Sequence, residues 1–336
     1  MPDLRTEITE IVTGLGTLGL PSIDDALEAR PREMIHVEGC HWDRLTQARQ
    51  QGKCPAEFEG AWLNGQTFLH AREGLRDRTS FRVEWKGAHR PPGYDLIPAD
   101  LRIDHVYLVS CKYLSKILFN ASPSHLFDRC LQVRRGAGTL DWYAEVALNS
   151  YQSLYAAARQ ALSLDTLLPE DVRRLTTDGR VLLKELLQSG WPVSLIEPYA
   201  DLCRDVAESS AERWNANMPS LQDREEMLWR LLRLAGAPYF VLGASGDKWL
   251  RLRIETPWDW RQRHELRSFD VWGDRGAGQP LVRWRALVRG TANRSEHAVD
   301  GHVEVRWSHG RFRGHPEAKV YLDTPHERVP GYNPLA

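Results

Sequence analysis

The chain has 336 residues, a formal net charge of −1, 42% hydrophobic residues and 26% charged residues, which indicates a globular protein with two domains or one elaborated domain. No apolar stretch approaches the roughly 18 residues that a membrane-spanning helix requires, and the amino terminus lacks the pattern of a signal peptide. We therefore expect a cytoplasmic protein that does not bind a membrane.

The amino-terminal part of the chain is predicted to begin with helices. Residues 3–13 and 43–51 favour short helices, although both segments are poorly periodic. A clearer helix is predicted over about residues 56–75, because Pro55 suits a first helical turn and Phe58, Trp62 and Leu69 share one face.

Strands are predicted next. SFRVEWKG alternates as a strand, and RPPGYD then breaks the pattern with two prolines and a glycine. After the break, ADLRI and VYLVSCKYL are predicted to pair as a hairpin with its turn at Asp104 and His105. SPSHLFDRCL follows as a helix opened by Ser122, with Pro123 at its first position.

The pattern changes twice in the remainder of the chain. Residues 140–237 have helical periodicity almost throughout, and residues 238–336 contain short strands such as YFVLGA, WLRLRIE and LVRWRALVRG. The sequence therefore predicts an α+β fold with three regions, which are residues 1–139, 140–237 and 238–336. Either YFVLGA completes the sheet of the first region, which makes the helical region an insertion, or the third region is separate.

The five cysteines of the chain are scattered, which indicates reduced thiols rather than a disulfide framework. Four potential zinc ligands lie close together in sequence, namely His36, Cys40, His41 and Cys54. Their spacing lacks the paired CxxC of the usual structural zinc sites, so this pattern is weak evidence for zinc.

The segment around the predicted hairpin carries the clearest functional pattern. A helix, three strands and a second helix follow one another, Asp100 stands at the start of the second strand, and Ser110-Cys111-Lys112 lies on the third. This order resembles the core of the PD-(D/E)xK, or restriction-endonuclease-like, superfamily of metal-dependent nucleases. The resemblance covers about a quarter of the chain and implies a restriction-endonuclease-like core with a mixed sheet. The helical middle region and the β-rich carboxyl-terminal region follow this core in the sequence.

The resemblance implies roles for individual residues. Asp100 would bind Mg²⁺ or Mn²⁺, and Lys112 would orient or deprotonate the attacking water. Alternate residues of a strand point to one face, so Ser110 and Lys112 are expected to point toward Asp100 together. Ser110 departs from the family, which has Glu or Asp there, and a hydroxyl is a weak ligand for a hard dication.

A second carboxylate is therefore required from elsewhere. The first helix of the family often contributes a glutamate, and Glu57 and Glu59 lie on the predicted helix over residues 56–75. Glu59 is the preferred metal ligand because it lies off the apolar face of Phe58 and Trp62. Without such an acid, the fold would be catalytically inactive.

Other interpretations compete with this site. Asp100 could merely end a turn, and Lys112 could extend its ammonium from an edge strand into solvent. Two literal Glu-x-Lys triplets also occur, at Glu84-Trp85-Lys86 and at Glu317-Ala318-Lys319. The second triplet lies in a segment rich in His and Glu, so a catalytic role for it stays open, although a solvated hairpin face explains it as well.

Several basic and polar residues are candidates for binding nucleic acid. Lys116 and Asn120 follow the third strand, where a helix amino terminus could meet a phosphate. Arg251 and Arg253 share one face of the strand WLRLRIE and could contact phosphates. Residues 239–336 contain 16 Lys and Arg against 12 Asp and Glu, a small excess that a sheet with one solvated side also explains.

These observations predict a metal-dependent nuclease that acts in restriction, defence against foreign DNA, or repair. Its expected partner is nucleic acid, with DNA preferred and RNA left open, and the interpretation allows a homodimer and a companion defence or repair protein. The alternative is a catalytically inactive nuclease fold that binds nucleic acid or a protein partner. Cleavage that depends on Mg²⁺ and Lys112 discriminates between them.

Overall fold

The computed structural model describes residues 3–87, 99–113, 117–131, 141–245 and 248–336. Its strands are β1 (Met34–Ile35), β2 (Val83–Trp85), β3 (Leu101–Ile103), β4 (Tyr107–Tyr113), β5 (Ile117–Ala121), β6 (Tyr239–Ser245), β7 (Lys248–Ile254), β8 (His264–Gly273), β9 (Leu281–Gly290), β10 (Glu296–Arg306), β11 (Glu317–Leu322) and β12 (Tyr332–Pro334).

The α-helices are α1 (Leu4–Glu7), α2 (Thr13–Leu15), α3 (Ile23–Ala29), α4 (Gly39–Gln50), α5 (Pro55–His70), α6 (Trp142–Val146), α7 (Leu148–Ala161), α8 (Thr177–Leu186), α9 (Val193–Ala216), α10 (Leu221–Leu232) and α11 (Pro257–Arg263). Ile8–Val12 and His125–Arg129 are π-helical, and Val172–Arg174 and His326–Arg328 are 3₁₀-helical.

The predicted hairpin is present. β3 pairs antiparallel with β4, with Leu101 opposite Val109. Asp104 and His105 in the turn both have left-handed backbones, with φ angles of 50° and 62°, as the tight turns that match strand twist require. The Asp104 carboxylate stabilises this turn by accepting hydrogen bonds from the backbone amides of residues 81 and 82.

The chain divides into two compact units. Unit 1 comprises Met1–Ser115, Leu232–His264 and His326–Ala336, and unit 2 comprises Lys116–Leu231 and Glu265–Pro325. This division differs from the predicted regions 1–139, 140–237 and 238–336. The reason is strand pairing, because β6, β7 and β12 join the sheet of unit 1, whereas β5 pairs with β11 in unit 2.

Unit 1 contains a mixed sheet in the order β1-β2-β3-β4-β6-β7-β12. β2, β3 and β4 form an antiparallel meander, and β6, the strand YFVLGA, pairs in parallel with β4. A parallel pair needs a long crossover connection, and residues 116–231, which form one segment of unit 2, lie within that connection.

Helices of the amino-terminal region pack on this sheet through a shared apolar core. Ile8, Ile11 and Leu15 are fully buried there because their spacing places them on one side of the first helical segment. The segment closely approaches α5, since a Cβ added at Gly16 would lie 2.6 Å from the carbonyl oxygen of Trp62. The core also includes Phe58, Phe68, Val83, Trp85, Leu101, Ile103, Val109, Phe240 and Leu242.

Unit 2 combines helices with an antiparallel sheet in the order β5-β11-β10-β9-β8. Aromatic rings dominate its core. Phe127 packs against Trp142 and Trp214, and Phe269 stacks on Trp284 with 5.8 Å between ring centroids. These large side chains are at most 1% exposed, and aromatic burial of this kind stabilises a core strongly.

The prediction of a mixed α+β fold is thus confirmed, with a mixed sheet in unit 1 and an antiparallel sheet in unit 2. Within the described residues, we find no helix with the length and apolar character that crossing a bilayer requires.

Candidate active site

Asp100 lies immediately before β3, and the neighbouring strand fixes its side chain. Its Oδ2 accepts a hydrogen bond from Ser110 Oγ at 3.1 Å and another from the backbone amide of Cys111 at 2.6 Å. The backbone amide of Asp100 itself donates to the carbonyl of Val109 at 2.8 Å. The carboxylate is therefore held against the middle of β4.

Lys112 lies on β4, two residues beyond Ser110, and is partly buried. Burial lowers the pKa of its ammonium, the negative charge of Asp100 opposes this change, and the positive charge of Arg233 adds to it. No hydrogen bond or ion pair of the Lys112 ammonium is found within the described residues. A lysine in this state is a recognised feature of functional sites.

A third ionisable group, Glu10, interacts with Asp100 and Lys112. It lies on the π-helical turn Ile8–Val12. Its Oε2 accepts a hydrogen bond of 2.6 Å from Trp85 Nε1. Burial, followed by the negative charge of Asp100, raises the pKa of Glu10 to about 8, although the Trp85 hydrogen bond and Lys112 partly offset the increase. Turns of this helix type occur frequently at functional sites.

Glu10, Asp100 and Lys112 therefore interact electrostatically although they come from three separate elements. The negative charge of Asp100 helps to raise the pKa of Glu10, so the two carboxyl groups are poorly stabilised as a pair of anions. A divalent cation between such groups would relieve the repulsion, since hard cations take carboxylate oxygens as ligands.

Each of the two carboxyl groups is held by the protein through one of its oxygen atoms. Asp100 uses Oδ2 for both of its protein hydrogen bonds, and Glu10 uses Oε2 for its bond to Trp85. Within the described part of the chain, Asp100 Oδ1 and Glu10 Oε1 have no hydrogen-bond partner. Each residue could thus offer one oxygen to Mg²⁺ or Mn²⁺ while the protein holds the other.

Gly243 on β6 makes room for Lys112. The two residues are paired neighbours in the parallel ladder. A Cβ at position 243 would lie 2.6 Å from the Lys112 carbonyl oxygen and 3.2 Å from the Lys112 Cβ, which is too close without a backbone shift. The sheet therefore favours glycine beside the lysine.

Glu59, the preferred second metal ligand from the sequence, is held elsewhere. It lies on α5 and accepts a hydrogen bond from Arg49 at 3.0 Å, and Arg49 also binds Asp24. The Glu59 side chain is 56% exposed. Glu57 on the same helix is paired with Arg5 at 3.3 Å. The structure brings Glu10, not Glu59, to Asp100 and Lys112.

The sequence contained a signal for Glu10 that the prediction did not use. The segment EITEIVTGLG places glutamates at positions 7 and 10 among apolar residues. The fold fully buries the neighbouring residues Ile8, Ile11 and Val12. The ionisable side chain that lies between them is therefore partly shielded from solvent. A carboxyl group within such a buried run is a candidate functional group.

The predicted nucleic-acid-binding residues have different surroundings. Lys116 lies outside the described residues, and Asn120 is exposed on β5 of unit 2, opposite Lys319. Arg253 lies 3.5 Å from a carboxylate oxygen of Asp259, which partly neutralises it. Arg251 donates to Asn64 Oδ1 at 3.0 Å, and its guanidinium carbon lies 4.4 Å from the ring centroid of Trp249.

The two literal Glu-x-Lys triplets are engaged in structural contacts. Glu84 is surrounded by Arg82, Arg102 and His105, all within ion-pairing distance. Glu317 of unit 2 accepts a hydrogen bond from Ser308, and its residue partner across the sheet is Arg306. The nearby groups that hold these two glutamates are basic side chains or a hydroxyl group rather than further carboxylates.

The arginines on the sheet of unit 2 are also paired with carboxylates. Arg283 binds Asp274 and Arg285 binds Asp300, each at 2.6 Å, and Arg289 pairs with Glu265. Their charges are largely compensated, which weakens the case for an arginine-rich face that binds phosphates.

The chain was compared with protein-family models, curated proteins and solved structures, and none matched.

Proposed function

We propose that the protein is a metal-dependent nuclease of the restriction-endonuclease-like type. The observation that carries the proposal is the electrostatic interaction of Glu10 and Lys112 with Asp100, whose negative charge helps to raise the pKa of Glu10 and opposes the lowering of the pKa of the partly buried Lys112 ammonium. The strand order gives further support, because the meander β2-β3-β4 is followed by β6 in parallel with β4.

Glu10 and Asp100 would hold Mg²⁺ or Mn²⁺, and Ser110 would orient Asp100 in place of the usual acid. When bound, the ion would supply stabilisation of negative charge on the phosphate and a water of lowered pKa. Lys112 would exchange a proton with the attacking water, a role that its lowered pKa suits. Glu10 would release its proton to become a ligand.

Trp249 and Arg251 on β7 are the residues of unit 1 that we propose to contact nucleic acid. Trp249 is 46% exposed, and Arg251 lies over its ring. An exposed tryptophan can stack on an unpaired base, and an adjacent arginine can bind the backbone phosphate. Asn64, which is 1% exposed, anchors the arginine from α5.

The proposed cellular role depends only on the resemblance to the restriction-endonuclease-like superfamily. The substrate would be DNA rather than RNA, and the process would be restriction, defence against foreign DNA, or repair in the cytoplasm. A homodimer and a companion defence or repair protein fit such a role. The five free cysteines agree with a reducing compartment.

A second candidate function is favoured by Ser110. With a hydroxyl at the usual acid position, the protein could be a nuclease fold that binds nucleic acid or a protein partner without cleaving. In that case Lys112 would be a binding residue only.

Cleavage assays with a matched pair of lysine variants test the proposal. Labelled single-stranded DNA, duplex DNA and RNA are incubated with Mg²⁺, with Mn²⁺, or with EDTA. We expect metal-dependent cleavage, a loss of about 10²- to 10⁴-fold in rate for Lys112→Met, and wild-type cleavage for Lys319→Met, which changes the lysine of another Glu-x-Lys triplet.

Two outcomes would contradict the nuclease assignment. The first is full activity of Lys112→Met. The second is the absence of cleavage of all three substrates with either metal, together with retained binding that Lys112→Met weakens, and this result would support the non-cleaving alternative.

A further inference from the structure

A second group of metal-ligating side chains lies where α4 begins. Glu38, Cys40 and His41 each offer a ligand atom, and these atoms lie within 4.8 Å of one another. Cys40 Sγ and Glu38 Oε2 are 3.9 Å apart. In tetrahedral zinc sites with bonds of about 2.0–2.3 Å, ligand atoms are separated by about 3.3–3.8 Å, so small side-chain rotations would suffice.

A buried carboxylate orients the histidine of this group. His41 Nδ1 lies 3.3 Å from Glu7 Oε1, and the Glu7 side chain is fully buried. Donation from Nδ1 to Glu7 leaves Nε2 as the ring nitrogen with a free lone pair. Metal-binding histidines usually donate their other nitrogen to a carboxylate in this way, which fixes the ring and makes it a better ligand.

The pairing of the buried Glu7 carboxylate within the protein is incomplete. Its Oε1 accepts from both His41 and Arg44, at 3.3 and 2.9 Å. Its Oε2 is buried and has no hydrogen-bond partner within the described residues. A buried carboxylate that is only partly satisfied is costly, and a dication bound through the imidazole would add positive charge beside it.

We propose that Glu38, Cys40 and His41 form a Zn²⁺ site, with solvent water as the fourth ligand. The thiolate and the carboxylate supply two negative charges, which balance those of the dication. Both anionic ligands also lie at the helix amino terminus, where negative charge is favoured. Binding would release the Cys40 thiol proton to solvent.

This site differs chemically from the pair formed by Glu10 and Asp100. Sulfur and imidazole ligands favour zinc, whereas an all-oxygen set favours Mg²⁺ or Mn²⁺. The zinc site does not depend on nuclease activity, although the His41 ring lies edge-on to Trp85, with 4.7 Å between ring centroids, and Trp85 donates to Glu10.

Cobalt and zinc titrations of the full-length, metal-free protein test the proposal in the presence of excess Mg²⁺. We expect one equivalent of Co²⁺ to give the thiolate charge-transfer absorption of a sulfur-bound ion, and one equivalent of Zn²⁺ to abolish it. Cys40→Ser should remove this absorption and weaken Zn²⁺ binding at least about 100-fold, whereas Cys54→Ser, at a nearby cysteine outside the group, should retain both.

Alkylation by iodoacetamide gives a second measurement that does not require a variant to fold. Zn²⁺ should protect Cys40 from modification at least tenfold and leave the rate at Cys54 unchanged, as read by peptide mass spectrometry. The proposal is overturned if Zn²⁺ leaves Cys40 equally reactive, if the cobalt absorption persists in Cys40→Ser, or if Mg²⁺ displaces Zn²⁺ at comparable concentrations.

Discussion

At neutral pH, the raised pKa of Glu10 opposes its proposed role as a metal ligand. Burial and the charge of Asp100 raise its pKa to about 8, so the metal-free protein holds this carboxyl group mainly protonated. A protonated carboxyl group is a poor ligand, and a cation must therefore displace the proton to bind. The affinity of the proposed metal site for a hard cation should therefore depend on pH.

We expect the apparent affinity for Mg²⁺ to rise up to about tenfold per pH unit below pH 8 and to level off above it, because each binding event releases one proton from Glu10. Calorimetric titration between pH 6 and 9 measures this dependence. Glu10→Gln should bind Mg²⁺ weakly and with little pH dependence. A wild-type affinity that is constant from pH 6 to 8 would refute the assignment.

Ionisation of Glu10 should also lower the free energy of unfolding as the pH rises. Its folded-state pKa lies above the ordinary value of 4.5, so the folded protein binds more protons than the unfolded chain between about pH 4.5 and 8, and stability falls across this interval. In EDTA, the free energy of unfolding of Glu10→Gln should exceed that of the wild type at pH 8 by on the order of 4 kcal/mol, with little difference at pH 4.5. Denaturant unfolding at both pH values tests the sign, and added Mg²⁺ should stabilise only the wild type.

At the scale of elements, the candidate site depends on close backbone contacts. The helical segment that carries Glu10 approaches α5 through Gly16 and Gly65. β6 approaches β4 at Gly243, beside Lys112. Because these contacts leave no space for a Cβ, the elements rather than the side chains alone determine where the ionisable groups meet.

Gly243→Ala should therefore destabilise the protein by about 1–3 kcal/mol, which is typical of an overpacked position, and should reduce metal-dependent cleavage by displacing Lys112. Gly236→Ala is the matched control, since a Cβ there would contact nothing within 4 Å. Thermal unfolding and cleavage rates of the two variants are compared. Equal stability and activity of both would contradict the role given to Gly243.

For the whole molecule, charge compensation is the dominant electrostatic feature. The net charge is −1, and arginines in both units pair with carboxylates, as Arg49 does with Asp24 and Arg285 with Asp300. The arginines in these ion pairs have less positive charge to offer to phosphates. Binding to nucleic acid should depend more on stacking and on the metal site than on a basic surface.

Salt titration tests this expectation. If about three phosphates are neutralised, the logarithm of the binding constant for duplex DNA should fall against the logarithm of salt concentration with a slope of about −3. Fluorescence anisotropy with Ca²⁺ in place of Mg²⁺, over a range of KCl concentrations, provides the measurement. A slope of −6 or steeper would indicate an extensive basic surface and contradict the expectation.

Local patterns in the sequence predicted the hairpin of β3 and β4 and the adjacency of Asp100 and Ser110, because strand alternation and turn chemistry act over a few residues. Local sequence patterns could not identify Glu10 as the acid that interacts with these residues. Glu10 reaches them through helix packing at Gly16, which is a tertiary contact. The division into units depends likewise on which sheet each late strand joins, and Ile117–Ala121 and Tyr239–Ser245 join different ones.

The pairing of β4 with β6 has a consequence for synthesis of the protein. Ser110 lies opposite Val241, which leaves the ribosome about 130 residues later, and at common elongation speeds this interval lasts on the order of ten seconds. During that time the nascent chain exposes the edge of β4 without its permanent neighbour. Translation pauses, or a chaperone that shields this edge, should therefore affect the yield of folded protein. Their effect should exceed that of substitutions in the strands that are synthesised later.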